Sequence, residues 1–162
     1  MRIEQRIFSR QHKESHNRAK QKAIVAKLHE RVSNRRHDFI HQQSARLAVK
    51  NQATSFAVEN LNIQGMVKNH KLARAIIDCG WAKFIDVLSY KSEWNGKNIL
   101  KIDRFAASSK TCSSCYHKQE KLSLEIRAWE CHCGTHHDRD INAARMVKHF
   151  ALAQPPGHCV AV

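Results

Sequence analysis

Two close pairs of cysteines near the C-terminal end restrict the fold of this chain more than any other feature. Cys112 and Cys115 form a C-x-x-C pair in T-C-S-S-C-Y-H. Fifteen residues intervene from Tyr116 to Glu130, and Cys131 and Cys133 then form a C-x-C pair in C-H-C-G-T-H-H-D-R-D-I-N-A-A. Each short loop aims two sulfurs at one point, and a hairpin-sized segment brings the pairs together, which suits tetrahedral Zn²⁺. The spacing predicts a zinc ribbon over residues 110–137. The competing reading is a pair of disulfides or simply buried thiols. No stretch resembles a signal peptide, so the chain is read as cytosolic, where clustered cysteines bind metal more often than they pair.

The rest of the composition points to a polyanionic partner. With 162 residues the chain has room for one modest core and an inserted module. Lys plus Arg number 28 against 14 for Asp plus Glu, a formal net charge of +14. Residues 1–50 hold thirteen Lys/Arg against four Asp/Glu, so nine of the fourteen excess charges lie there. Nucleic-acid backbone is the natural partner of such a balance. The alternative is a solvated helix face that only keeps the protein soluble. No membrane partner is expected, because no long apolar run exists and the basic segment has few aromatic anchors.

From Ser15 to Lys50 the chain has no Gly or Pro, and Ile24, Leu28, Val32, Phe39 and Leu47 recur at spacings of four, four, seven and eight. This predicts one long amphipathic helix with at most one break. Its other face carries Lys20, Lys22, Lys27, Arg31, Arg35 and Arg36, suited to phosphates without regard to base sequence. Residues 1–14 read as a fragment of a preceding helix. Ala53 to Leu61 reads as a buried strand ending near Glu59, and Met66 to His70 as a basic connection. Two helices follow, Lys71 to Asp78 and Trp81 to Trp94, broken near Gly80, with Trp81, Phe84, Ile85 and Leu88 as core. Asn95-Gly96 is a turn and Asn98 to Ile102 a short strand.

Beyond that strand, Leu122 to Trp129 alternates weakly and suits a hairpin within the ribbon. A last helix runs to about Leu152 with Asp140 at its N-cap and Ala143, Val147 and Phe150 on its inner face. Gln154 to Val162 reads as a frayed tail. Cys79 and Cys159 fit no metal pattern. Two carboxylates stand out by position: Glu59 at the C-terminal end of a strand, where open α/β sheets bind ligands, and Asp140 at a helix start. An ordinary solvated Glu and a plain helix cap are the competing roles, and a cap and a metal ligand can coexist.

The run H-D-R-D-I-N-A-A from His137 resembles the end of the TnpB family, transposon-encoded proteins related to type V CRISPR effector nucleases. So do V-E-N-L-N-I-Q-G-M-V-K-N-H-K-L-A (Val58 to Ala73) and K-I-D-R-F-A-A-S-S-K-T-C (Lys101 to Cys112). The resemblance covers nearly the whole chain. It implies an α/β fold: a RuvC-like domain of ribonuclease H type, interrupted by a zinc ribbon. It also implies RNA-guided, Mg²⁺-dependent DNA cleavage, with DNA and guide RNA as partners and the bacterial cytosol or nucleoid as location. Glu59 and Asp140 match the family's second and third acidic residues. Asp138 is the nearby alternative, but the family residue stands two positions before Asn.

Against the family pattern, the first acidic residue, on a strand resembling G-I-D-x-G, has no counterpart here. Asp38, Asp78, Asp86 and Asp103 lie in no matching strand. The expected fold is therefore an incomplete RuvC-like domain of marginal stability, N-terminally truncated, with a long basic N-terminal helix. Its expected segments are 1–50 basic helical, 51–109 partial RuvC-like, 110–137 zinc ribbon, 138–152 last RuvC-like helix and 153–162 flexible tail. Such a chain is expected to be inactive alone and to need a separate upstream polypeptide that carries the missing Asp. The alternative is a non-catalytic zinc-ribbon nucleic-acid-binding remnant or regulator. Two further departures weaken the expected zinc affinity. The second pair is one residue shorter than the family's C-x-x-C-G, so that His132, His136 or His137 could substitute as ligands. Tyr116 stands where relatives place Gly, at a turn where positive φ penalises a side chain.

Overall fold

The computed structural model describes residues 1–123 and 125–153. Helix α1 (Arg2–Arg10) precedes α2 (His16–Ala48), which runs 33 residues without a break. Ser15 caps α2, its hydroxyl accepting from the Arg18 amide at 3.2 Å. Strand β1 (Ser55–Glu59) leads through α3 (Ile63–Val67), α4 (Ala73–Cys79) and α5 (Trp81–Trp94) to β2 (Asn98–Ile102). Strands β3 (Ala128–Glu130) and β4 (His136–Asp138) follow, then α6 (Arg139–Ala153). Among the described residues no helix is long and apolar enough to cross a membrane.

The helical crossover brings β2 back parallel to β1, in a register from Ser55 opposite Asn98 to Glu59 opposite Ile102. Both strands therefore end on the same edge, and Glu59 sits at it. Helix α6 covers this pair. Ile102, Val147 and Ala151 form a buried cluster, with Ala57, Leu100, Ala106 and Phe150 packed around it. The strand β1 is half-buried, not buried as expected, because among the described residues only β2 pairs with it and its other flank is open.

The long helix is seated differently from its predicted stripe. Phe39 is 62% exposed and Ile24 46%, whereas Ile40, Ser44 and Ala48 are buried. Spacings of seven and eight fit two adjacent helical stripes equally well, and the packing of α5 selects the one through Ile40. Lys91 on α5 fixes that contact, its Nζ donating to His41 O at 2.7 Å and Ser44 Oγ at 2.9 Å. Near its start, α2 packs against α1: Gln21 is buried and donates to the Glu4 carboxylate at 2.6 Å.

The predicted break falls at Gly80, which ends α4 in the left-handed conformation with φ 62°. A side chain there would also approach the Ile40 methyl at 3.2 Å. Of the predicted α5 core, Ile85 and Leu88 are buried together with Val87, but Trp81 is 36% exposed at the helix start. The predicted basic connection 66–70 begins as the short α3, capped by Asn62. The ribbon's hairpin is formed by Ala128–Glu130 and His136–Asp138, so that of the 122–129 segment expected to supply it only Ala128 and Trp129 take part. The predicted tail from Gln154, with Cys159, lies outside the described residues.

Candidate metal centre and carboxylate edge

Each cysteine pair sits in a tight knuckle. In the first, Cys112 N donates to His117 O at 2.9 Å and Tyr116 N to Cys112 O at 3.0 Å, beside a bridge between Thr111 and Lys118. In the second, Cys131 N donates to Thr135 O and Gly134 N to Cys131 O, within the β3–β4 hairpin. Tyr116 has φ 61°, the positive value the sequence predicted. An αL side chain costs about 1–2 kcal/mol. Tyr116 stacks on His149 of α6, with ring centroids 4.5 Å apart, and such a pair returns about 0.5–1.5 kcal/mol.

The knuckles bring the sulfurs of Cys112, Cys115, Cys131 and Cys133 within 4.8 Å of one another. Cys112 and Cys133 are 3.9 Å apart and Cys115 and Cys131 3.6 Å. A tetrahedral ion with bonds near 2.3 Å places its sulfurs about 3.8 Å apart. A disulfide would need about 2.05 Å, so the pairing alternative fails and the four cysteines are free. The shortened C-x-C pair reaches the cluster with both sulfurs. The residues therefore fit a metal such as zinc.

None of the histidines proposed as substitutes belongs to the ligand set. His137 is buried, and its Nε2 lies 3.0 Å from Cys112 Sγ. Burial, then the charges of Arg145 and His136, lowers its pKa and disfavours the charged ring. It supports a ligand sulfur and packs against Trp129, the rings tilted at 42° with centroids 4.6 Å apart. His132 Nδ1 lies 3.5 Å from Cys131 Sγ, and His136 faces Glu130 at 3.8 Å.

As thiols the four cysteines are held unevenly. The Thr135 hydroxyl, 3.3 Å away, and then the Thr135 amide lower Cys133 to about 6. At Cys115 the His117 amide acts downward, but desolvation and the sulfurs of Cys131, Cys133 and Cys112 prevail and raise it to about 12. At Cys112 desolvation acts upward, yet the Cys115 and Ser114 amides, 3.5 and 3.4 Å from the sulfur, leave it lowered.

The run after β3 fastens this cluster to α6. Asp138 Oδ1 accepts the amides of Asp140 at 3.0 Å and Ile141 at 2.9 Å, which makes Asp138, not Asp140, the cap. The buried Arg139 donates to Ser123 O at 2.8 Å and Ile126 O at 3.3 Å, holding the segment between the knuckles. Asn142, 1% exposed, donates to Thr111 O at 2.8 Å and accepts from Ser113 N at 2.9 Å. Arg139 and Asn142 were not foreseen as clamps, since their partners lie 13 to 31 positions away. Asp140 remains exposed, with no side-chain hydrogen bond or ion pair among the described residues.

Glu59 is half-buried at the shared strand edge, and its Oε1 accepts the Ser108 hydroxyl at 2.8 Å. Thr111 N and Oγ1 both donate to Ala107 O, so Ser108 and Thr111 lie in one turn. A short path thus links the two carboxylates: Glu59 to Ser108, Ser108 through that turn to Thr111, Thr111 to Asn142, two residues past Asp140. Of the other aspartates, Asp38 accepts from Gln42 at 2.8 Å, Asp78 pairs with Arg36 at 2.9 Å, and Asp103 accepts from the Phe105 amide at 2.7 Å.

All six predicted basic residues of α2 are exposed. At about 3.6 residues per turn, Lys20, Lys27, Arg31 and Arg35 share one stripe, while Lys22 and Arg36 point to the other side. The predicted single face is thus four residues wide, and Arg36 is spent on Asp78. Lys27, Arg31 and Arg35 line a shallow concavity with Glu30, Asn34 and Asp38.

Comparison with known proteins gives concordant likenesses. The family profile described as "Probable transposase" (OrfB_IS605) matches residues 1–70, and that of the Cas12f1-like TNB domain matches residues 81–147. A Streptomyces pristinaespiralis protein, provisionally named an RNA-guided DNA endonuclease, is 44% identical over 149 residues, 92% of this chain and 37% of its own length. An Escherichia coli K12 protein with the same provisional naming is 30% identical over 159 residues, 88% of this chain and 39% of its own. The chain thus spans under two fifths of these relatives. Among solved structures, a chain from a cryo-EM Cas12f1–sgRNA–target DNA complex aligns with a TM-score of 0.59 at 21% identity. It covers 90% of this chain and 40% of that one, so the two share a mixed helix and strand fold.

Proposed function

The chain belongs to the TnpB-like family, and on that premise we propose that it supplies Glu59 and Asp140 to a Mg²⁺ site for RNA-guided DNA cleavage. The observation that carries this reading is the division of labour after the second cysteine pair. His137, Asp138, Arg139 and Asn142 each have a structural partner, and among the described residues the Asp140 side chain has none. A carboxylate left exposed at a helix start, on the hydrogen-bonded path that leads through Asn142, Thr111 and Ser108 to Glu59, is available to a hard cation. Paired divalent ions would stabilise charge on the attacking and leaving oxygens of a phosphodiester. Zinc in the four-cysteine ribbon is structural in this reading, because four thiolates leave no open position. The basic stripe of α2 holds the nucleic-acid backbone.

Two carboxylates leave such a site short of ligands; Asp38, Asp78 and Asp103 are engaged elsewhere, and Asp86 lies exposed within α5. We therefore expect no nuclease activity from this chain by itself. Mixing it with a related N-terminal polypeptide that carries a G-I-D-x-G strand should restore Mg²⁺-dependent cleavage, abolished by Glu59→Gln or Asp140→Asn. Failure to cleave after such reconstitution, or cleavage indifferent to both substitutions, sinks the reading. The exposed stripe Lys20, Lys27, Arg31 and Arg35 also supports a second reading, a non-catalytic nucleic-acid-binding module, which predicts binding but no cleavage in that mixture.

A further inference from the structure

We infer that Ser108 is the positioning residue for Glu59 and that it ties the carboxylate edge to the cysteine ribbon; this rests on the reading of Glu59 as a metal ligand. The Ser108 hydroxyl is 2.8 Å from Glu59 Oε1, the only side-chain hydrogen bond of that carboxylate among the described residues. Ser108 is 6% exposed. A buried hydroxyl needs a partner, and here it finds one in a charged acceptor across 49 positions of sequence.

The segment that carries Ser108 is fixed at both ends. At its start the Asp103 carboxylate accepts the Phe105 amide and Asp103 O accepts the Ala106 amide at 3.2 Å. Ala106 is packed against the cluster of Ile102, Val147 and Ala151. At its end Ala107 O accepts from Lys110 N at 3.2 Å, Thr111 N at 3.1 Å and Thr111 Oγ1 at 2.8 Å. Thr111 is then held by Asn142, and Cys112 follows immediately. Ser108 thus stands on a rigid turn that the first knuckle and α6 locate together.

The chemistry that follows is orientation. A glutamate has three side-chain torsions, and an ordering hydrogen bond on Oε1 fixes the plane of the carboxylate and leaves Oε2 for a cation. Removing the hydroxyl lets the carboxylate rotate away and leaves it under-solvated at a half-buried position. A hydrogen bond to a charged group of this kind is worth enough to weaken cation binding by about tenfold.

The test uses the full chain, zinc-loaded, with Mn²⁺ as the probe and line broadening of assigned backbone amides as the readout. In the wild type, broadening should centre on Glu59, Ser108 and Asp140. Ser108→Ala should shift its midpoint to about tenfold higher Mn²⁺ with unchanged zinc content and melting temperature. Ser108→Thr, which keeps the hydroxyl, should retain the wild-type midpoint. Equal midpoints in wild type and Ser108→Ala overturn the role of Ser108 while leaving the carboxylate site standing. Equal weakening in both variants with lowered melting temperatures means that Ser108 only packs, and also overturns it. No broadening around Glu59 in the wild type overturns the carboxylate reading itself.

Discussion

Asp138 and Asp140 stand two residues apart, and the first accepts the backbone amide of the second at 3.0 Å. Because Asp138 also accepts from Ile141 N, it completes the start of α6 without help. The side chain of Asp140 then stands free in the first turn of α6. One aspartate holds the helix and the other is free to act.

This division predicts opposite phenotypes for the two residues. Asp138→Ala should destabilise the protein by about 1 kcal/mol. Hydrogen exchange should quicken at the amides of Asp140 and Ile141. Asp140→Asn should leave both amides protected and yet abolish divalent-cation binding at the strand edge. Hydrogen exchange followed by NMR decides the first point and Mn²⁺ titration the second. Equal protection loss in both variants would refute the assignment.

A second prediction concerns protons released when zinc binds after removal by a chelator. With Cys133 at about 6 and Cys115 raised to about 12, at pH 7 the first is already largely ionised and the second is not. Zinc takes all four as thiolates, so binding should release fewer than four protons. Affinity should fall as pH drops, since protons compete for the sulfurs. Thr135→Val removes the hydroxyl that lowers Cys133 and should raise the release by up to about one proton. Calorimetry in buffers of different ionisation enthalpy measures the difference, and no change in Thr135→Val would contradict the hydrogen-bond cause.

How much of this was legible in the sequence depended on the range of the interaction. The metal cluster was, because the spacing of Cys112, Cys115, Cys131 and Cys133 alone brings sulfurs together whatever surrounds them. The break at Gly80 was legible for a local reason too, whereas the positive φ at Tyr116 was legible only through the resemblance, whose members place Gly there. The buried stripe of α2 was not: Phe39 and Ile40 are both apolar, and only the partner helix α5 decides which is covered. The cap was misplaced by two residues because two aspartates flank Arg139 and either can accept an amide. Ser108, Arg139 and Asn142 act across tens of residues, so nothing in their immediate neighbourhood revealed their partners.

The stripe on α2 gives a third prediction, in salt dependence. Replacing Lys27 or Arg31 with Ala should weaken binding to nucleic acid of any sequence and reduce the slope of log K against log salt by about 1 each. Lys22→Ala, on the other side of the helix, should leave the slope unchanged. Arg36→Ala should instead remove the surface pair with Asp78 and cost at most about 1 kcal/mol of stability. Fluorescence anisotropy across a salt series separates these cases. Equal slopes for Arg31→Ala and Lys22→Ala would dismiss the stripe as the binding face.

The last prediction concerns the clamp between ribbon and helix. Asn142 spends its amide N–H on Thr111 O and its carbonyl on Ser113 N, both at a position that is 1% exposed. Asn142→Ala leaves a buried acceptor and a half-buried donor without partners, at a cost of about 1–3 kcal/mol for each fully buried group. Asn142→Asp should be worse although it is isosteric: the carboxylate still accepts from Ser113 N, but its second oxygen faces Thr111 O, and two acceptors repel. Since the same turn carries Ser108, either variant should also broaden the environment of Glu59, whereas Trp129, packed on the far knuckle against His137, should be disturbed less. Thermal melts order the variants, and a more stable Asn142→Asp than Asn142→Ala would show that the hydrogen bond to Thr111 does not hold the clamp.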